Sequence, residues 1–172
     1  MPVAAVFGSA RVAEGHAEYE AGHQMGRLLA EAGWGVMTGG YAGVMEAASR
    51  GAHDSGGHVI GVTVNAWSER LSANRWVIEE RIAQDLIARL VELLTADAVI
   101  AVGGGIGTLT EVALAWNLAL MHRTTAPIIL VGERWDRVVG VLTKELVLGD
   151  DDLSHVQIVA NPASAMATLP RG

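Results

Sequence analysis

The chain contains no cysteine and a single lysine, and each shortage closes off a branch of chemistry. Without cysteine there are no disulfides and no thiolate zinc sites. A pyridoxal-dependent enzyme needs a lysine for its Schiff base, and a P-loop kinase needs Gly-Lys-Ser/Thr directly after its glycines. The one lysine, Lys144, lies in the amphipathic stretch Arg134–Leu148, far in sequence from every glycine cluster, where it reads as a solvated helix residue. Amino-acid decarboxylation and P-loop phosphoryl transfer therefore both lose an essential group. No segment approaches the ~20 uninterrupted apolar residues of a membrane helix. The opening Met1–Phe7 lacks the basic start of a signal peptide and reads as a strand, so a cytoplasmic protein without membrane contact is expected. A formal net charge of −7 argues against a duplex nucleic-acid partner, because phosphate backbones attract basic surfaces. The six histidines, His16, His23, His53, His58, His122 and His155, show no metal-ligand spacing. Asp150-Asp151-Asp152 reads as a solvated turn. Neither a metal nor an organic cofactor is expected.

What the chain has in quantity is glycine, 21 of 172 residues, within a composition that is 51% hydrophobic. That length suits one domain able to bury a full sheet with helices on both sides. Val3–Phe7 is an apolar run ending in Gly8-Ser9, and His16 to Ala32 carries apolar residues at helical spacing. Trp34–Thr38 predicts a second strand, Gly39–Gly43 a second glycine turn, and Val44–Ser55 a helix. His58–Thr63 predicts a third strand, followed by a polar, tryptophan-bearing excursion from Val64 to Trp76, a length that in compact domains is usually functional or mobile. A helix over Ile82–Leu94, a strand over Ala98–Val102 and a strongly apolar helix from Thr108 to Met121 come next. Pro127–Val131, Arg134–Leu148, Val156–Val159 and Pro162–Thr168 complete the alternation as strand, helix, strand and helix. The expected fold is α/β, a Rossmann-like, doubly wound, mostly parallel sheet in a single domain.

The densest signal is Ala98-Val-Ile-Ala-Val-Gly-Gly-Gly-Ile-Gly-Thr-Leu-Thr-Glu111. Its apolar run reads as a strand buried on both faces. The glycines let the backbone turn sharply and approach a ligand, and the free amides of the next helix face whatever sits there, so an anion is the natural guest. Ligands bind such sheets at the carboxyl ends of strands, and three loops qualify: Gly8-Ser9, Gly39–Gly43 and Gly103–Thr108. None fits the dinucleotide fingerprint G-x-G-x-x-G, since Thr108 stands where the last glycine would fall. A single phosphate fits that pattern better than a pyrophosphate.

At these residues the chain resembles the LONELY GUY-type family. The family signature P-G-G-x-G-T-x-x-E is matched by Gly103–Glu111, with Gly103 in place of the proline. Gly39-Gly40-Tyr41-Ala42-Gly43-Val44-Met45 is similar to its second glycine turn, and Phe7-Gly8-Ser9 to its first. The resemblance implies a homodimer that hydrolyses the N-glycosidic bond of nucleoside 5′-monophosphates, AMP-like or cytokinin-type, to free base and ribose 5-phosphate. It implies catalytic roles for Glu111 and for an arginine on the preceding helix, best matched by Arg89, with Arg81 the second candidate; the family's Met-His-x-Arg-Lys context is absent. It further implies nucleotide contacts at Gly8, Ser9, Gly39, Gly40, Gly43, Met45, Gly104, Gly105, Gly107 and Thr108. Gly103 also resembles relatives that carry molybdenum cofactor, so a non-catalytic nucleotide or cofactor carrier is the alternative.

Each residue has a plainer reading beside the functional one. Thr108-x-x-Glu111 is also a capping box, which satisfies a helix's own first donors. Arg89 alone would read as a surface or ion-pair arginine. Ser9, followed closely by Arg11, could donate to phosphate or cap a turn, and Glu46 suits a first helical turn by the dipole alone. Trp67 and Trp76 could stack on a base or pin their loop. The helix Thr108–Met121 is apolar around most of its circumference and must be covered, by its own domain or by a partner subunit; together with the family resemblance this leads to the expectation of a symmetric dimer whose interface includes it.

Overall fold

A computed structural model describes residues 1–65, 72–149 and 151–170. Seven strands form one sheet: β1 (Val3–Gly8), β2 (Gly35–Thr38), β3 (Val59–Val64), β4 (Glu79–Ala83), β5 (Ala98–Val102), β6 (Ile128–Val131) and β7 (Val156–Val159). Six helices connect and close them: α1 (Ala17–Glu31), α2 (Val44–Asp54), α3 (Leu86–Leu93), α4 (Ile106–Leu120), α5 (Glu133–Glu145) and α6 (Pro162–Met166). The spatial order is β4-β3-β2-β1-β5-β6-β7, and every pairing is parallel. The expected doubly wound α/β sheet is therefore present, and it is parallel throughout rather than mostly so.

Alternation along the central strands divides the interior in two. Ala98, Ile100 and Val102 of β5 face one side with Met25 and Leu29 of α1, Val44 and Ala48 of α2 and Ala165 of α6. Val99 and Ala101 face the other, with Leu93 of α3, Val112 and Trp116 of α4 and Trp135 of α5. All five β5 residues are buried, which is why this strand reads as a continuous apolar run instead of an alternating one. On the first side α1 and α2 meet almost backbone to backbone. A side chain on Gly26 would strike the Ala48 carbonyl, and one on Gly51 the His23 carbonyl.

Helix boundaries follow local capping. The His16 ring accepts from the Glu18 amide at the start of α1. Asp85 accepts from the Ala88 amide at the start of α3, and Asn161 from the Ser164 amide at the start of α6. Asp85 also explains the main departure from the sequence reading. The stretch read as one helix over Ile82–Leu94 contains a strand end, a break at Gln84-Asp85 and a shorter helix. Strand β4 pairs with β3 in the register Val62↔Arg81. As an edge strand it alternates half-buried and exposed positions and carries Glu79, Glu80 and Arg81, charges that discourage further strand addition.

The start of α4 also differs: the helix opens at Ile106, two residues before Thr108, with Gly105 as its N-cap. Thr108 is thus the third helical residue and Glu111 the sixth, so the two do not form a capping box. Thr108 is instead buried against Gly104, whose missing Cβ leaves room for its side chain. Trp67 lies outside the described residues. Trp76 pins its segment, with the guanidinium carbons of Arg75 and Arg50 4.5 and 5.7 Å from its ring centre. Among the described residues, no helix is long and apolar enough to cross a membrane, and no group of three or more acidic, histidine or cysteine side chains is placed to hold a metal ion.

Candidate active site

Strands β1 to β4 add in one direction and β5 returns to the other side of β1, so the crossover direction reverses between β1 and β5. A crevice opens outside the carboxyl ends of strands at such a point. Here it is a cleft of about 830 Å³. The loops after β1, β2 and β5 form its walls, so the three glycine turns singled out in the sequence converge on one space. Gly8, Ser9, Gly39, Met45, Gly105, Gly107, Thr108, Arg89 and Glu111 all line it. Gly40, Gly43 and Gly104 are not on the lining. They support it from behind: Gly40 accepts from Asn74, Gly43 packs on the Ser9 carbonyl, and Gly104 on Thr108.

The N-termini of α2 and α4 both approach the cleft. At α4 the first amides follow an N-cap without a side-chain acceptor, which leaves donors for an incoming anion. At α2 the Val44 amide is already committed to the Ser9 carbonyl at 2.9 Å, a bond that ties the β1 loop to the helix.

Arg89 reaches the cleft from α3 and is almost wholly buried. Its Nε donates to the Val62 carbonyl at 2.8 Å and one terminal nitrogen to the Gly39 carbonyl at 3.2 Å. The other terminal nitrogen stands 3.8 Å from Glu111 Oε1, and the guanidinium lies 5.7 Å from the Tyr41 ring centre. A charge so fully desolvated is retained by these carbonyls, the ring and the carboxylate together. Burial lowers the Arg89 pKa, with Glu111 and Tyr41 opposing. Glu111 keeps only a small exposed fraction, its side chain 12% accessible, and loss of solvent pushes its carboxyl up to about 7, with Arg89 pulling the other way. A carboxyl poised there can give or take a proton at neutral pH.

The second arginine candidate is elsewhere. Arg81 lies on β4, not on a helix, and is held by Glu79 at 2.6 Å and Glu92 at 2.7 Å. It does not line the cleft.

Two wall residues, Tyr41 and Asn74, were not among the expected site residues. Tyr41 contributes a ring beside Arg89, and its hydroxyl accepts from the Val64 amide at 3.0 Å. Asn74 fastens the Gly39–Gly43 turn, its side-chain amide donating to the carbonyls of Gly40 at 3.1 Å and Tyr41 at 3.0 Å. It comes from the far side of a segment without periodicity, so nothing in its neighbourhood pointed to that turn. Glu46 also faces the cleft and accepts from the Tyr19 hydroxyl at 3.2 Å.

Gly103 sits behind this wall. Its φ of 58° is closed to proline, whose ring holds φ near −65°. A Cβ there would also meet the carboxylate of Glu18, which is paired with Arg134 of α5 at 3.1 Å. Glycine at this position thus takes a conformation that the proline of the family signature cannot adopt.

Sheet order, cleft position and the uncapped start of α4 define a Rossmann-like protein with its candidate site at the topological switch point. Within that class, residues 1–164 match the model of the SLOG cluster4 family, and the chain belongs to that family. It is 35% identical over 99 residues to an uncharacterised protein of Archaeoglobus fulgidus, covering 56% of this chain and 63% of that one. It is 32% identical over 125 residues to the "Probable cytokinin riboside 5′-monophosphate phosphoribohydrolase LOGL5" of Oryza sativa subsp. japonica, covering 70% of this chain and 51% of the relative. The chain therefore spans between about half and just under two thirds of the length of these relatives. Among solved structures, the molybdenum cofactor binding protein of Rippkaea orientalis superposes with a TM-score of 0.78 at 27% identity, covering 96% of this chain and 93% of that one.

Proposed function

We propose that this protein hydrolyses the N-glycosidic bond of nucleoside 5′-monophosphates, of AMP or cytokinin type, releasing the free base and ribose 5-phosphate. The observation that carries the reading is the largely shielded Glu111 carboxyl, poised near neutral pH beside Arg89 and one and a half turns from a helix start able to take a phosphate. With the 5′-phosphate on the amides after Gly105, and on Thr108, the ribose falls towards Glu111. Breaking the C1′–N bond builds positive charge on the sugar, which the Glu111 carboxylate stabilises. Water attacks C1′ as the C1′–N bond breaks, Glu111 takes one proton from that water, and the same proton passes, directly or through solvent, to the departing base nitrogen, which returns Glu111 to its carboxylate form. Arg89 opposes the rise of the Glu111 pKa and holds the carboxylate in place. Its donors to Val62 and Gly39 fix that position, so it acts chiefly on the carboxylate.

Incubating the purified protein with AMP and other monophosphates and separating products by chromatography tests this. Free base is expected, and a Glu111→Gln variant is expected to release it at least ~100-fold more slowly. Absence of base from every nucleotide, under conditions in which a known phosphoribohydrolase works, would refute hydrolysis. The alternative, a carrier of nucleotide or molybdenum cofactor, is favoured by one observation, the Gly103 backbone with its Glu18 support. Tight ligand binding without turnover would select it.

The site is proposed to work in a homodimer. Leu86, Ile87 and Val91 of α3, with Ile106 and Met121 at the ends of α4, are exposed apolar side chains, and a second copy would cover them. A single protomer mass by light scattering at micromolar concentration would contradict this. The cytoplasm is the proposed place of action, and cell fractionation tests it.

A further inference from the structure

The cleft has an electrostatic shortfall for the ligand proposed above. Its ionisable lining consists of Arg11, Glu46, Arg89 and Glu111. With Glu111 ionised these charges cancel, and a phosphate adds up to two further negative charges. Arg89 cannot answer them. Its donors are directed to Val62, Gly39, Met45 and Glu111, and it is only 6% exposed. Helix amides supply partial charge only. Arg11 differs from Arg89 on each count: it is exposed, and among the described residues no carboxylate lies within ion-pairing distance of it.

Its backbone is nevertheless fixed. The Arg11 amide donates to Ser9 Oγ at 3.1 Å, the Ser9 carbonyl accepts from Val44 at the start of α2, and Gly43 packs against Ser9 and Ala10 so closely that no side chain fits between them. A free guanidinium is thus carried at the rim of the cleft on a loop that is itself anchored. We propose that Arg11 is the cation that closes on the ligand's phosphate, adding charge-assisted and, where geometry allows, bidentate bonds to those of the α4 amides. This rests on the reading of the ligand as a phosphate monoester but does not require that the ligand be hydrolysed. The ligand class it specifies is a sugar phosphate, with the phosphate as the element recognised and the uncharged sugar held weakly.

Calorimetric titration of the full chain with ribose 5-phosphate and with ribose tests the inference. Ribose 5-phosphate is expected to bind at least about tenfold more weakly to Arg11→Gln than to wild type, a loss equal to one charge-assisted bond. Arg11→Lys should recover part of the affinity, and raising salt should weaken the wild type more than Arg11→Gln. Where base release is measurable, the loss should fall on KM for the monophosphate more than on kcat. Unchanged affinity of Arg11→Gln for ribose 5-phosphate, or an equal loss for ribose, would overturn the proposal. So would a wild-type protein that binds no sugar phosphate. Arg11-dependent binding of ribose 5-phosphate without release of base from any monophosphate would leave the inference standing and remove the hydrolase, whereas base release that ignores Arg11 would do the opposite.

Discussion

Replacing Glu111 by glutamine should make the protein more stable, and the gain should depend on pH in a way set by the burial of that one carboxyl. Folding raises its pKa from 4.5 to about 7. As pH rises, the unfolded chain therefore releases this proton first. Stability is unaffected below the unfolded value and declines between roughly 4.5 and 7, because ionising the group in place costs more than ionising it in water. At 1.36 kcal/mol per pKa unit, the deficit is about 2 kcal/mol at pH 6 and about 3 kcal/mol at pH 8. Glutamine has nearly the shape of the protonated acid and no charge to desolvate. At pH 4.5 the two proteins should be alike within about 1 kcal/mol, and at pH 8 the variant should lead by about 3 kcal/mol. For a chain of this size that difference corresponds to roughly 6–12 °C in Tm. Urea unfolding of both proteins at half-unit steps from pH 4.5 to 8.5 measures it. Parallel stability curves would show that the Glu111 carboxylate is adequately solvated or paired in the fold, and the account of a poised acid would fail with them. The same variant should lose base release, so stability and activity should move in opposite directions.

Other consequences follow from single contacts. Arg89→Met removes the cation beside Glu111 and should raise that carboxyl's titration by roughly one unit or more, measurable by NMR of labelled glutamate; an unmoved midpoint would show that the 3.8 Å pair is electrostatically idle. Gly103→Ala forces a side chain into the left-handed region and into Glu18, and should cost about 2 kcal/mol. Adding Glu18→Gly should recover the part owed to contact, a coupling on the order of 1 kcal/mol by double-mutant cycle, and strict additivity would refute the contact. Gly26→Ala drives a methyl at the Ala48 carbonyl and should cost about 3 kcal/mol in chemical denaturation, with a loss below 1 kcal/mol contradicting the close α1–α2 approach.

Much of the architecture was legible in the sequence because central parallel strands announce themselves as short apolar runs, and β1, β2, β3, β5 and β6 all do so. The edge strand β4 was not. Glu79, Glu80 and Arg81 break the apolar run, and Ile82 fell in phase with the helix that follows, so one period absorbed two elements until Asp85 is recognised as a cap. The cleft was legible where glycine marks a turn at a strand end, which is why Gly8, Gly39 and Gly105 were found together with Thr108 and Glu111. Their division of labour was not legible. Whether a glycine faces a ligand or makes room for a neighbour depends on residues distant in the chain: Gly43 yields to Ser9, and Gly104 to Thr108. The spacing of Thr108 and Glu111 fitted a capping box equally well, and only the entry of the helix at Ile106 separates them. Asn74 and Tyr41 act through the loop they brace, a role with no pattern of its own.

The pairing of β1 with β5 has a consequence for how the protein is made. The Val3 amide donates to the Asp97 side chain across 94 residues of sequence, and β1 must wait for that partner while β2 can dock onto it, and β3 onto β2, at once. During synthesis one edge of the nascent sheet therefore stays open until more than half of the chain has emerged, and closing so long a loop is the slow, non-local step. All three loops that build the cleft meet only at that closure. The cleft is then assembled late, in one step with the docking of β5 on β1, and before β6 and β7 extend the sheet beyond it.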